Sequence, residues 1–174
     1  MNARELFALS PYGATVRFSN GQPKPPARFN KKLREWESHN SAGRFVRAEQ
    51  ADPSAQYSRE GFVLQTRHAI IIMQMCFGLE GSNTFEIEQT PPPGTILAFT
   101  KFGRDLELQA VCLTEGEARK WWDRNRHSTS RILEIVAENG ERLPFTLSEP
   151  GEPFGITGEH AGEAMRLLAS AGAS

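Results

Sequence analysis

Between Ala27 and Glu37 the apolar residues Phe29, Leu33 and Trp36 recur at intervals of four and three. That spacing gathers them on one side of a helix. Arg28, Lys31, Lys32 and Arg34 fill the rest of the turn, so the predicted helix is amphipathic with a basic outer side. Phe29 and Trp36 are expected in the core beside Leu33. Pro26 suits the first helical position. Upstream, Ala14 to Phe18 reads as a short strand stopped by the Asn20-Gly21 turn signal. His39 to Ser58 is polar, with a short strand at Phe45 and Val46 and a loop from Glu49 to Ser58.

The pattern changes at Gly61. Phe62–Thr66 and Ala69–Phe77 are apolar and β-branched, and fit one bent strand, two strands or a buried helix. Phe85 to Glu88 alternates and predicts a strand with one wet face. Pro91-Pro92-Pro93-Gly94 interrupts the chain. Thr95–Phe102 and Asp105–Leu113 then predict a hairpin about Gly103-Arg104, with Leu106, Leu108, Ala110 and Cys112 on one face. Thr114-Glu115-Gly116-Glu117 is a capping box: the Thr114 hydroxyl accepts from the Glu117 amide, and the Glu117 carboxylate reaches back to the Thr114 amide. Leu113 and Ala118 have staple spacing. The helix that follows runs to about Arg126, with Ala118, Trp121, Trp122 and Asn125 on one side. Ile132–Ala137 and Leu143–Leu147 flank Asn139-Gly140 as a hairpin, and Pro144 marks its second arm as an edge. A link from Pro150 to Gly155 precedes a last helix with Ala161, Ala164, Met165 and Leu168 on its stripe.

The expected fold class is therefore α+β: a mixed, mainly antiparallel sheet with about three packed helices. The 174 residues suit a single domain, with 1–58 a basic helix-containing segment and 59–174 the β-rich core. The apolar runs are far shorter than the roughly 20 residues of a membrane span, and no signal peptide is evident, so a cytoplasmic protein with no membrane partner is expected. Cys76 and Cys112 are read as reduced core residues.

Net charge is only −1, but its distribution is uneven: +5 over residues 1–50 and −3 over each of 51–100 and 101–174. The positive excess lies between Lys24 and Arg47. Lys24, Arg28, Lys31, Lys32, Arg44 and Arg47 are the candidate nucleic-acid-binding residues, since such a stripe neutralises phosphates without reading sequence. A solvated helix face accounts for the same residues. His39, His68, His127 and His160 lack metal-ligand spacing, and no metal site is assigned. Walker-type and dinucleotide-binding glycine patterns are absent.

A second candidate is the strand–turn–helix from Leu108 to Arg126. A helix start offers backbone N–H groups and partial positive charge to a phosphate. Gly116, Lys120 and Arg124 are the phosphate-binding candidates there. Glu115 and Glu117 at the same place also satisfy the terminus by themselves, and a purely structural cap explains them equally.

Gly116-Glu117-Ala118-Arg119 opening a helix after a strand resembles the phosphate-binding box of the ParB/sulfiredoxin superfamily, including its plasmid fertility-inhibition members of the oncogenic-suppression type. The resemblance implies a ParB/sulfiredoxin-like fold, phosphate placed by Glu117 and Arg119 as the catalytic pair of a nuclease or nucleotide hydrolase, and ATP and Mg²⁺ as cofactors. Ile156 to Ala161 has a similar look without the arginine. Two functions are carried forward. One is a DNA- or nucleotide-binding accessory protein of a conjugative plasmid or integrative element. The other is a non-enzymatic module that docks on a protein such as a component of the conjugation machinery.

Overall fold

The computed structural model describes residues 1–51, 54, 60–68 and 71–148. The predicted last helix and the Ile156–Ala161 stretch lie outside these. Among the described residues the helices are α1 (Ala3–Leu9), α2 (Asn30–His39) and α3 (Glu115–Arg124). The strands are β1 (Thr15–Ser19), β2 (Ser41–Glu49), β3 (Gly61–His68), β4 (Ile71–Gly78), β5 (Thr84–Gln89), β6 (Ile96–Phe102), β7 (Asp105–Cys112), β8 (Arg131–Val136) and β9 (Arg142–Pro144). The pairings within each unit are antiparallel, so the protein is α+β with a mainly antiparallel sheet. The chain divides into two compact units, Met1–Thr90 and Pro91–Ser174. The boundary falls at the Pro91–Gly94 break. The expected change after residue 58 lies inside the first unit, because β2 and β3 pair across it.

The first unit is a meander that returns on itself: β4, β3, β2 and β1 lie in that order, and β5 comes back to pair with β1. Each strand contributes one phenylalanine to a shared aromatic cluster. Phe45 of β2 stacks on Phe62 of β3 at 5.5 Å between ring centroids, and Phe62 stacks on Phe77 of β4 at the same distance. Phe85 of β5 meets Phe62 and Phe77 edge-on at 5.2 Å. Phe18 of β1 lies 5.1 Å from Phe77. Strands at the two ends of the pairing order, β4 and β5, thus touch through their rings, so the sheet curls around this cluster. Phe18, Phe45 and Phe62 are essentially inaccessible to water. At Gly61 the two strands approach so closely that an added Cβ would lie 2.5 Å from the Phe77 carbonyl oxygen.

Helix α1 is absent from the predicted elements. Seven residues with two buried side chains, Ala3 and Leu6, make too short a stripe to register. A local signal exists: Asn2 accepts from the Glu5 amide and Glu5 accepts from the Asn2 amide, each at 2.9 Å, a capping box.

Strand β2 is longer than the two residues predicted. Phe45 pairs with Leu64 and Arg47 with Val63, which leaves Val46 as the extra residue of a β-bulge. Gly43 and Phe45 are buried before the bulge and Ala48 after it. The bulge reverses the in–out phase, so strict alternation fails along this strand.

Phe62–Phe77 forms two strands, β3 and β4, paired in continuous register from Gly61↔Gly78 to His68↔Ile71. Not all of this apolar run is buried. Ile72 is 62% exposed and Met73 lies near the surface. Cys76 is also exposed rather than buried, whereas Cys112 is buried, because neighbouring positions of a strand face opposite ways.

The stripe of α2 is corrected as well. No residue of this helix is buried, and Phe29, at its N-cap, is 44% exposed. Leu33 and Trp36 are half-buried. The helix starts at Asn30, later than Pro26 would place it, after a turn in which the Phe29 amide donates to the Pro26 carbonyl.

In the second unit β6 lies between β7 and β8, and β9 pairs with β8. The β6–β7 hairpin forms about Gly103-Arg104 as expected, but its predicted single face is corrected: Gln109 is an added bulge residue between Leu108 and Ala110, which sets Leu106 and Leu108 on the face opposite to Ala110 and Cys112. Ile96, Ala98, Cys112, Leu133, Ile135 and Phe145 form a core under Ala118, with Trp121 and Trp122 packed against it. The Trp pair is therefore structural. Arg131 fixes the end of α3: its guanidinium carbon lies 4.0 Å from the Trp122 ring centroid, and it donates to the Ser128 and Trp122 carbonyls.

Two outcomes are expected. Phe62→Ala, which strips the ring shared by three partners, lowers unfolding free energy by about 3–5 kcal/mol in denaturant titration. In the native protein a thiol reagent labels Cys76 and spares Cys112 until denaturant is added, as peptide mass spectrometry would show.

Candidate functional site

The segment between β1 and β2 is held at its base by asparagines. Asn40 accepts at Oδ1 from the Ser19 hydroxyl at 2.6 Å and from the Asn20 amide at 3.2 Å. Its Nδ2 donates to Asn20 Oδ1 and to the Trp36 carbonyl, both at 2.9 Å. Asn20 Oδ1 also accepts from the Gln22 amide. This clasp joins the two ends of the segment, and α2 projects from it with no residue fully buried. Trp36 Nε1 donates to the Gln22 carbonyl at 2.6 Å, which fixes the indole against the incoming chain.

The basic residues surround the two rings. Lys24 Nζ lies 5.6 Å from the Trp36 ring centroid. The Arg28 guanidinium carbon lies 4.9 Å and Lys32 Nζ 5.8 Å from that of Phe29. Lys24, Arg28, Lys31, Lys32, Arg34 and Arg44 are exposed, and among the described residues none has a carboxylate within ion-pair distance. Several arginines elsewhere are paired, whereas Arg124 and Arg126 also have no carboxylate within ion-pair distance among the described residues. Arg4 pairs with Glu80, Arg17 with Glu88 and Arg142 with Glu134. Arg47 pairs with Glu49 at 2.7 Å, which sets it apart from the other predicted members of the basic surface.

Arg44 stands on β2 opposite Thr15 of β1 and Gln65 of β3. It lines an open cleft of about 430 Å³ with those residues, Thr66 and Ile72. A single cation among hydroxyl and amide groups suits an anionic or polar ligand. The Asn20–Asn40 clasp and the partial exposure of the two rings are not legible in the sequence. There Asn20 reads as a turn former and the rings read as core, and only the folded chain brings Asn20 and Asn40 together.

The start of α3 has the geometry of a cap. Thr114 Oγ1 accepts from the Glu117 amide at 3.2 Å, as predicted. The Glu117 carboxylate accepts from the Leu113 amide at 2.8 Å, one residue before the expected donor. Leu113, the expected staple partner of Ala118, is 60% exposed. Arg119 Nη2 donates to Glu115 Oε1 at 3.0 Å and to the Ser148 carbonyl. Glu115 Oε1 also accepts from the Ser148 amide and hydroxyl at 3.1 and 2.5 Å. Glu117 and Arg119 are thus engaged with their own chain. Gly116, Lys120 and Arg124 are exposed beside them.

Two groups here and nearby are shifted. Burial, and then the Glu117 carboxylate, push the Cys112 thiol up. Burial raises Glu134, with Arg142 opposing it. Among the described residues no group of three His, Cys, Asp or Glu side chains gathers in a way that could hold a metal ion, and no helix is long and apolar enough to cross a membrane. Removal of the α3 cap by Thr114→Ala is expected to cost about 1 kcal/mol of stability, read from thermal unfolding, with affinity for polyanions unchanged.

No curated protein and no solved structure matches the chain significantly. A family model does match, over residues 1–139, which span α1 to the β8–β9 turn and include both α2 and the start of α3. The chain belongs to the family described as uncharacterised conserved protein UCP036055.

Proposed function

We propose that this protein binds nucleic acid through the phosphate backbone, using the exposed cations of α2 and the segment before it. One observation carries the reading. Lys24 to Arg34 holds five basic residues and no acid, and those five and Arg44 meet no carboxylate among the described residues. Cations of like sign held close together repel one another, and a polyanion relieves that repulsion while releasing its counterions. The clasp at Asn20 and Asn40 holds the cations on a defined projection rather than a loose tail.

The version we propose is binding without hydrolysis. Phosphate placement by Glu117 and Arg119, with ATP and Mg²⁺, would require both side chains to leave their present partners, Leu113, Glu115 and Ser148. The resemblance at Gly116–Arg119 is the support for an accessory role on a conjugative plasmid or integrative element. The reading as a non-enzymatic module docking on a conjugation protein has one observation in its favour: Ile72 and Met73 stand out on β4, which lies at the end of the first unit's strand order.

The test is fluorescence anisotropy with labelled DNA across a salt series, wild type beside a variant with Lys24, Arg28, Lys31 and Lys32 changed to Gln. Because these four residues are exposed, the variant is expected to keep its circular dichroism and unfolding midpoint. Its affinity should fall at least tenfold at low salt. The slope of log K against log salt should shrink by about 0.7–0.9 for each phosphate that the variant no longer neutralises. Equal affinity and slope in the two proteins would defeat the proposal.

A further inference from the structure

Resting on that reading, we infer that the preferred ligand is a single strand, with unpaired bases stacking on Phe29 and Trp36. Trp36 belongs to a helix with no fully buried residue, and Phe29 is its N-cap. Phe29 is 44% exposed at the helix entrance, and Trp36 is half-buried. Neither ring belongs to the aromatic cluster of the strands.

A duplex does not explain these rings. Its base faces are hidden in the stack, and its phosphates need only the lysines and arginines. A single strand offers base faces that stack on aromatic side chains whatever the sequence. The Trp36 hydrogen bond to Gln22 holds the indole by its edge and leaves its orientation set before any ligand arrives. Arg28 and Lys32 lie over Phe29 and Lys24 over Trp36. These flexible cations can move from ring to phosphate, uncovering the face as the charge is neutralised.

The spacing fits as well. Seven positions separate Phe29 from Trp36, a rise of about 10 Å along a helix at roughly 1.5 Å per residue. That is about three steps of a stacked strand at roughly 3.4 Å each.

The experiment measures anisotropy of a labelled 20-nucleotide oligo(dT) and of a duplex of equal length, both in the same buffer, with the full chain. Wild type, Phe29→Ala, Phe29→Leu, Trp36→Ala and Trp36→Phe are compared after circular dichroism confirms folding. The single strand should bind wild type at least tenfold tighter than the duplex. Phe29→Ala and Trp36→Ala should each lose roughly five- to hundredfold for oligo(dT), with little change for the duplex and an unchanged salt slope. Trp36→Phe should recover most of the loss. Phe29→Leu, apolar without a π face, should not. Equal wild-type affinity for both ligands, or aromatic variants that bind oligo(dT) like wild type, would overturn the single-strand inference and leave phosphate binding standing. Failure of wild type to bind either ligand at low salt would overturn both.

Discussion

The first unit depends on five phenylalanine rings meeting in one place. Each comes from a different strand, and each strand is too short to be stable alone. Phe77 contacts Phe62 on its neighbour β3, and through Phe18 and Phe85 it connects β4 to β1 and β5, which do not pair with it. Among the described residues of the first unit, the strand ladders join neighbours in the order β4-β3-β2-β1-β5. The aromatic cluster supplies the contact between the ends of that order. Large rings suit this task because one ring can reach several partners at 5.1 to 5.5 Å in edge-on and stacked geometries.

This arrangement also frees α2 for work on the surface. With Phe18 and Phe45 already buried by other strands, the connection between β1 and β2 is not needed to complete the core. The asparagine clasp closes it instead, through polar groups that hold their positions without a dry interface. The cations then stay exposed, and the rings of Phe29 and Trp36 stay partly in water. In α3 the same residue types have another fate. Trp121 and Trp122 pack over the second core, Arg131 lies over the Trp122 ring, and Arg119 is held by Glu115 and Ser148. Two basic, aromatic helices thus differ in what covers them.

Much of the fold is legible because it follows from local rules. Alternation about a turn locates the β6–β7 hairpin, and the Asn139-Gly140 pair locates the β8–β9 turn, where Gly140 adopts φ +83°. The Thr114 cap is readable to the residue for its hydroxyl bond. Failures have specific causes. The Val46 bulge breaks the period of β2, and α1 is too short for periodicity to show. On β4 a continuous apolar run carries no information about which alternate residues face out, and the expectation of a buried Cys76 fails for that reason. Of the candidate site, the cations are visible as a charge excess, but their freedom from carboxylates is not, since Arg47 and Arg44 look alike until Glu49 is seen beside one of them.

The sequence by itself determined the antiparallel α+β character, the hairpins and the charge asymmetry, because these arise from neighbours along the chain. It also determined that α2 has an apolar side, through the spacing of Phe29, Leu33 and Trp36. Only the tertiary structure decided that this side would stay partly in water. Periodicity records which residues share a helix face. What comes to lie against that face depends on whether the rest of the chain has already filled its own core, and here the strand phenylalanines had done so.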